Sequence, residues 1–174
     1  MRYTASPTLD QSELNVASHS DSAAKVLLLS SAIAIEAPSD MIWSVLVDVE
    51  HSHEWASTIA NAALVDSGPL RLGSRAIVRR SRNAPWIWTV AAFEPARSIT
   101  WKTGMPGLWI STCASLDPTP YGTRVTLAVR YEGFIGCLVG RYIQRDVRSA
   151  LEADAACLKQ RTETLLRRLA VVRR

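Results

Sequence analysis

The sequence predicts an α+β fold in which a curved antiparallel sheet of about seven strands wraps a long C-terminal helix, with two short helices after the first strand. Three observations lead there. Residues 60 to 132 run in short period-two stretches divided by turn signals, the apolar period lengthens to nearly four from Gly136, and a strand followed by a helix precedes both. No internal repeat or low-complexity tract breaks that order.

Residues 1 to 27 are rich in Ser, Ala and Thr and have no hydrophobic period, so they are expected to form a flexible extension ahead of a single domain over residues 28 to 170. From residue 28 to 36 the chain alternates, with Ser31, Ile33 and Ile35 on one side and Ala32 and Ala34 on the other, as a strand does. Ala37-Pro38-Ser39-Asp40 then signals a helix start, with Ser39 as cap and Asp40 as a negative charge in the first turn. Ile42, Val45, Leu46 and Val49 follow at the three-and-four spacing of one buried stripe. A second short helix is expected from near Glu50 and carries Trp55.

Turn signals at Ser67-Gly68-Pro69, Asn83-Ala84-Pro85, Glu94-Pro95-Ala96, Met105-Pro106-Gly107 and residues 117 to 122 divide the next stretch. The strands between them are expected near residues 60 to 66, 73 to 82, 86 to 94, 98 to 104, 108 to 116 and 123 to 132. One long amphipathic helix then runs through Leu138, Tyr142, Ile143, Val147, Leu151, Ala155, Leu158, Leu165 and Leu169. Gly136 and Gly140 in its first turns would allow a close approach to the sheet.

Apolar residues form 48% of the 174-residue chain and charged residues 21%, a balance that supports a packed core rather than disorder. The three cysteines, Cys113, Cys137 and Cys157, are odd in number and far apart, which fits a reducing cytoplasm and neither a disulfide framework nor a metal knuckle. The apolar run at residues 26 to 35 is too short to span a bilayer and follows acidic residues, so neither export nor membrane insertion is expected. The net charge of +4 gathers at Arg161, Arg167, Arg168, Arg173 and Arg174, where it complements a helix C-terminus, and no nucleic-acid partner is expected. No nucleophile elbow, P-loop or dinucleotide fingerprint is present.

Strand alternation selects the face that meets the long helix. It turns inward Ala76, Val78 and Arg80; Trp86, Trp88 and Val90; Ile99, Trp101 and Thr103; Ile110, Thr112, Ala114 and Leu116; and Val125, Leu127, Val129 and Tyr131. The chain has six tryptophans and two phenylalanines, and Trp86, Trp88, Trp101 and Trp109 all fall in the meander. Flat rings with one polar edge fill cores, and they also line pockets for aromatic or fused-ring ligands.

The strand and helix from Ile33-Ala34-Ile35-Glu36-Ala37-Pro38 to Val47-Asp48-Val49-Glu50, then Trp55, open the chain. Leu72-Gly73-Ser74-Arg75, Trp88-Thr89-Val90, Phe93-Glu94-Pro95, Ile99-Thr100-Trp101, Leu116-Asp117-Pro118 and Gly122-Thr123-Arg124-Val125-Thr126-Leu127 follow in order. Over residues 28 to 166 this succession resembles the polyketide cyclase/dehydrase group of the START-like (SRPBCC), Bet v 1-like superfamily. The resemblance implies a helix-grip fold with an elongated cavity between sheet and helix, usually without metal or organic cofactor, so no cofactor is expected. It also implies that an arginine with aromatic and hydroxyl residues in the cavity can hold a poly-β-ketone and assist enolisation and dehydration.

Arg80, Tyr131 and His53 are the candidate catalytic groups. Arg80 would polarise a ketone and stabilise an enolate, although a register shifted by one would put Arg79 inward instead or leave both at the sheet edge. His53 is a proton carrier at the cavity mouth or an exposed loop residue; with His51 it lacks the spacing of a metal site, and no metal is expected. Tyr131 and Tyr142 would meet where the last strand enters the helix, as donors to a ligand carbonyl or as structural hydrogen bonders. The candidate ligand contacts are Trp55, Val78, Trp86, Trp88, Trp101, Thr103, Thr112, Val129, Leu138 and Tyr142. A carrier of a small hydrophobic molecule, a cofactor-independent cyclase or dehydratase, and an interaction module all remain open at this point, as does the oligomeric state.

Overall fold

The computed structural model describes residues 26–80 and 84–172, apart from the side chains of Cys137, Gly140 and Arg141. The expected extension, up to residue 25, lies outside the described residues, as does Asn83 of the second turn signal. Seven strands, β1 (Val26–Ile35), β2 (Ile59–Leu64), β3 (Arg75–Arg80), β4 (Trp86–Glu94), β5 (Ser98–Met105), β6 (Leu108–Thr119) and β7 (Gly122–Glu132), form one curled antiparallel sheet. Its order is β1-β7-β6-β5-β4-β3-β2. Helix α1 (Ser39–Val47) and a 3-10 turn (Ser52–Glu54) follow β1, and α2 (Phe134–Val172) closes the chain as a single helix of 39 residues. This is the helix-grip arrangement: a half-barrel of strands around a long C-terminal helix.

The first strand returns to pair with the last, from Val26 opposite Glu132 to Ile35 opposite Thr123, and so completes one wall. Helix α1 begins one residue earlier than a Ser39 cap requires. Ser39 is its first helical residue, no side chain caps it, and the Pro38 carbonyl accepts from the Met41 and Ile42 amides at 3.1 and 3.3 Å. Ile42, Val45, Leu46 and Val49 are buried, as their spacing predicts. The expected second helix is only a 3-10 turn, closed by the Trp55 amide on the Ser52 carbonyl.

Entry into α2 depends on a close backbone approach. Gly133 has φ +88°, and a Cβ there would stand 2.6 Å from the carbonyl oxygen of Gly107 at the β5–β6 turn. That carbonyl accepts from the Ile135 and Gly136 amides at 3.0 and 3.3 Å, so the hairpin tip satisfies two of the donors that a helix start leaves open.

The main core lies between the sheet, α1 and the C-terminal half of α2, where Ile35, Ile42, Val90, Val125 and Leu158 are fully buried. The hydroxyls within it are bonded, Thr123 to the Ala37 carbonyl and Thr162 to the Leu158 carbonyl, each at 2.8 Å. Among the described residues no helix is long and apolar enough to cross a membrane.

Candidate functional site

The other half of the sheet does not close on α2 in the same way, and a cavity of about 750 Å³ lies between them. Its strand wall carries Ala76 and Val78 from β3, Trp88 from β4, Trp101 from β5, Thr112 from β6 and Val129 from β7. Opposite stand Ile143, Val147 and Leu151 of α2. Small residues make the space: Ala62, Ala76, Ala114 and Ala150 border it at positions where a leucine would fill it.

Strand parity holds on β3. Arg75, Ile77 and Arg79 are exposed, whereas Ala76, Val78 and Arg80 turn inward, so Arg80 and not Arg79 reaches the cavity. Its guanidinium carbon lies 5.7 Å from the centroid of the Trp88 ring, which shares the charge with a π face. Tyr131 borders the same cavity although β4, β5 and β6 separate its strand from β3, because the sheet curls enough to bring them together. Burial pushes the Tyr131 phenol above the ordinary tyrosine range, and the charge of Arg80 draws it partly back. The phenol is therefore a proton donor at neutral pH.

Polar contacts fasten the 3-10 turn to α2 at one rim. The Ser57 amide and hydroxyl both donate to Asp154 Oδ1 at 2.7 Å, and Glu54 pairs with Arg161. Trp55 borders the cavity between these two ties.

Eight of the expected site residues thus border one cavity: Arg80, Tyr131, Trp55, Val78, Trp88, Trp101, Thr112 and Val129. Five do not. Leu138 and Tyr142 are 66% and 94% exposed, because Ile143 and Val147 take the inner side of α2 at that level. Tyr142 therefore does not meet Tyr131. Thr103 is buried, but its hydroxyl donates to the Ile87 carbonyl at 2.7 Å within the sheet. Trp86 is half-buried on the inward parity without bordering the space. His53 faces solvent with Nδ1 3.0 Å from the Glu50 carbonyl, while His51 bonds Asp48 at 2.8 Å. The pairing with Asp48 raises the His51 pKa.

Ser52, Asp146 and Asp154 also border the cavity and were not anticipated. The helical spacing Ile143, Val147, Ala150, Asp154 does place the last of these on the inner stripe, had a carboxylate been admitted there. A second cleft, about 350 Å³, runs along Lys159, Glu163 and Arg167. It is a charged helix surface with i,i+4 ion pairs at 3.7 and 3.9 Å.

Residues 27–163 match the sequence profile described as polyketide cyclase / dehydrase and lipid transport. No curated protein shows significant sequence similarity to the chain. Among solved structures, Ara h 8.0201 is 12% identical with a TM-score of 0.63, over 80% of this chain and 99% of that one. The Zhui aromatase/cyclase from Streptomyces sp. R1128 is 16% identical with a TM-score of 0.61, over 80% and 94%. The di-domain ARO/CYC StfQ from the steffimycin biosynthetic pathway is 11% identical with a TM-score of 0.66, over 81% of this chain and 52% of that protein. At these identities the likeness is one of fold.

Proposed function

The chain belongs to the polyketide cyclase / dehydrase and lipid transport family, and from that premise we propose that it binds one small, largely apolar molecule in the cavity between the sheet and α2. The observation that carries this reading is the cavity itself: about 750 Å³, walled by Trp88, Trp101, Val78 and Val129, with Arg80 as the cation in the wall. Aromatic and aliphatic walls favour a fused-ring or long-chain ligand, and the guanidinium favours one with a carbonyl or carboxylate. We place such a carrier in a reducing cytoplasm, which suits free Cys113 and Cys157, and no nucleic acid is needed as a partner for α2, whose last described turn has no basic residue and whose Arg161 and Arg167 pair with Glu54 and Glu163.

A second reading is supported by Arg80 and Tyr131 bordering the same space. In a cofactor-independent cyclase or dehydratase, Arg80 would polarise a substrate ketone and hold the enolate. Tyr131, kept protonated by burial, would donate to a developing oxyanion or leaving hydroxyl. Of the three groups anticipated for that chemistry, His53 is the one the cavity does not contain.

The reading is tested with anthracene-2-carboxylate and 2-methylanthracene, which share a ring system and differ in charge. Arg80→Ala should weaken the carboxylate about 10- to 100-fold, the loss of charge-assisted hydrogen bonds, and leave the hydrocarbon within about twofold. Arg79→Ala should change neither. Equal losses for both compounds in Arg80→Ala, or no loss, would remove Arg80 from the site.

A further inference from the structure

One end of the molecule exposes apolar side chains from two elements that the backbone joins. On the first turns of α2, Phe134 is 75% exposed, and Ile135, Leu138, Val139 and Tyr142 are exposed with it. Beside them the β5–β6 hairpin exposes Met105 and Pro106 at its tip and Trp109 behind it. The Gly107 carbonyl accepts from the Ile135 and Gly136 amides and so holds the hairpin tip against the helix start. Exposed apolar residues are ordinary when scattered singly, but a group gathered at one end marks a contact surface.

The order of these residues indicates what they contact. Along α2, Phe134 and Leu138 are followed by Tyr142, about 12 Å on from Phe134, and then by Arg145 and Arg148 within about the next 9 Å. At 3.6 residues per turn these five fall within about 120° of one another, on the side opposite Ile143 and Val147, which face the cavity. The hairpin repeats the succession in the same direction: Met105 and Pro106 at the tip, then Trp109, then Lys102, whose Nζ lies 5.3 Å from the centroid of the Trp109 ring. Apolar tips, then rings with one polar edge, then cations is the depth profile of a bilayer surface, from acyl chains through the interface to the headgroups. The charge fits as well. Arg145 and Arg148 are exposed, and neither forms an ion pair among the described residues. With Arg141 the sequence sets three arginines between residues 134 and 150 against one carboxylate, Asp146.

We infer that this end of the molecule docks on an anionic lipid surface, with Phe134, Leu138 and Met105 in the acyl region, Tyr142 and Trp109 at the interface, and Arg145, Arg148 and Lys102 among the headgroups. Among the described residues no helix is long and apolar enough to cross a membrane, so the contact is peripheral. The inference does not depend on what the cavity holds. It does set the cavity close to the lipid, because the other side of the same turns of α2 lines it with Ile143 and Val147, and a helix is about 10 Å thick. An apolar molecule then has a short path between bilayer and cavity.

The test is flotation of the full chain with two kinds of vesicle, phosphatidylcholine alone and phosphatidylcholine with an equal part of phosphatidylglycerol. Wild-type protein should bind the mixed vesicles at least about tenfold more tightly than the neutral ones at low salt, and lose most of that preference at about 1 M salt. Arg145→Ala and Arg148→Ala should each weaken binding to the mixed vesicles about fivefold, and together about 30-fold. Phe134→Asp combined with Leu138→Asp should abolish binding to both kinds. Val171→Asp, at an exposed apolar position near the far end of α2, should leave it unchanged. Thermal melting checks each fold, and the two arginine variants carry the test if the aspartate variant melts early. Failure to bind the mixed vesicles, equal affinity for the two kinds, or binding that survives the arginine double variant or a folded aspartate variant overturns the inference. A dimer that the aspartate variant dissociates, in a protein that does not float with lipid, also overturns it and makes this face an interface between copies.

Discussion

Removing residues 137–174 should leave no cooperatively folding product. Helix α2 supplies Leu158, Ala155 and Thr162 to the main core and Ile143, Val147 and Leu151 to the half beside the cavity. Each large apolar side chain taken from water contributes about 1.5–3 kcal/mol, and a domain's whole stability is about 5–15 kcal/mol. Several such residues together exceed the margin. Ile35, Ile42, Val90, Val125 and Leu127 would also lose their cover. The truncated chain is expected to lack near-UV circular dichroism and to unfold in urea without a sigmoidal transition. A soluble product with a sharp transition would contradict the proposed role of α2.

Leu158→Ala and Trp101→Ala should separate the solid half of the molecule from the hollow half. Leu158 is completely buried among Ile35, Val125 and Ile42, so truncation opens a cavity in packed surroundings and should cost about 2–5 kcal/mol by urea denaturation. Trp101 is half-buried, packs on one side against the core and on the other borders space that already exists. Its truncation should cost less than the roughly 3–5 kcal/mol of a fully packed aromatic, and should weaken binding of anthracene-2-carboxylate by about 1–3 kcal/mol. If Trp101→Ala proved the more destabilising of the two, its surroundings would be filled rather than open.

The fold and one wall of the cavity were legible in the sequence because side chains alternate along the strands, apart from the register shifts at Ile59/Asn61 and Val90/Ala92. One correct inward residue on a strand assigns all the others, and Val125, Leu127, Val129 and Tyr131 are all buried. The same rule settles Arg80 over Arg79 once Ala76 is seen to be buried on the cavity side. Parity names a face, however, and not a depth along the strand. Trp86 and Thr103 therefore share the correct face without touching the cavity.

The helical side was harder to read. The first turns of α2 are apolar on both sides, with Leu138 and Tyr142 outward and Ile143 and Val147 inward, so a period near four cannot choose between them. Ser52, Asp146 and Asp154 escaped for the opposite reason. Hydropathy passes over polar residues, and Asp154 acquires its partner only from Ser57, 97 positions away.

The central claim, that sheet and α2 enclose room for one small apolar molecule, is tested most directly by native mass spectrometry of the intact protein. The protein would be taken as purified and then exposed to a mixture of aromatic hydrocarbons, aromatic carboxylates, anthraquinones, sterols and fatty acids. The cavity predicts complexes of one ligand per chain, with those carrying an aromatic ring and a carbonyl or carboxylate surviving at the highest collision energies. A spectrum containing only the bare protein, before and after exposure, would contradict it.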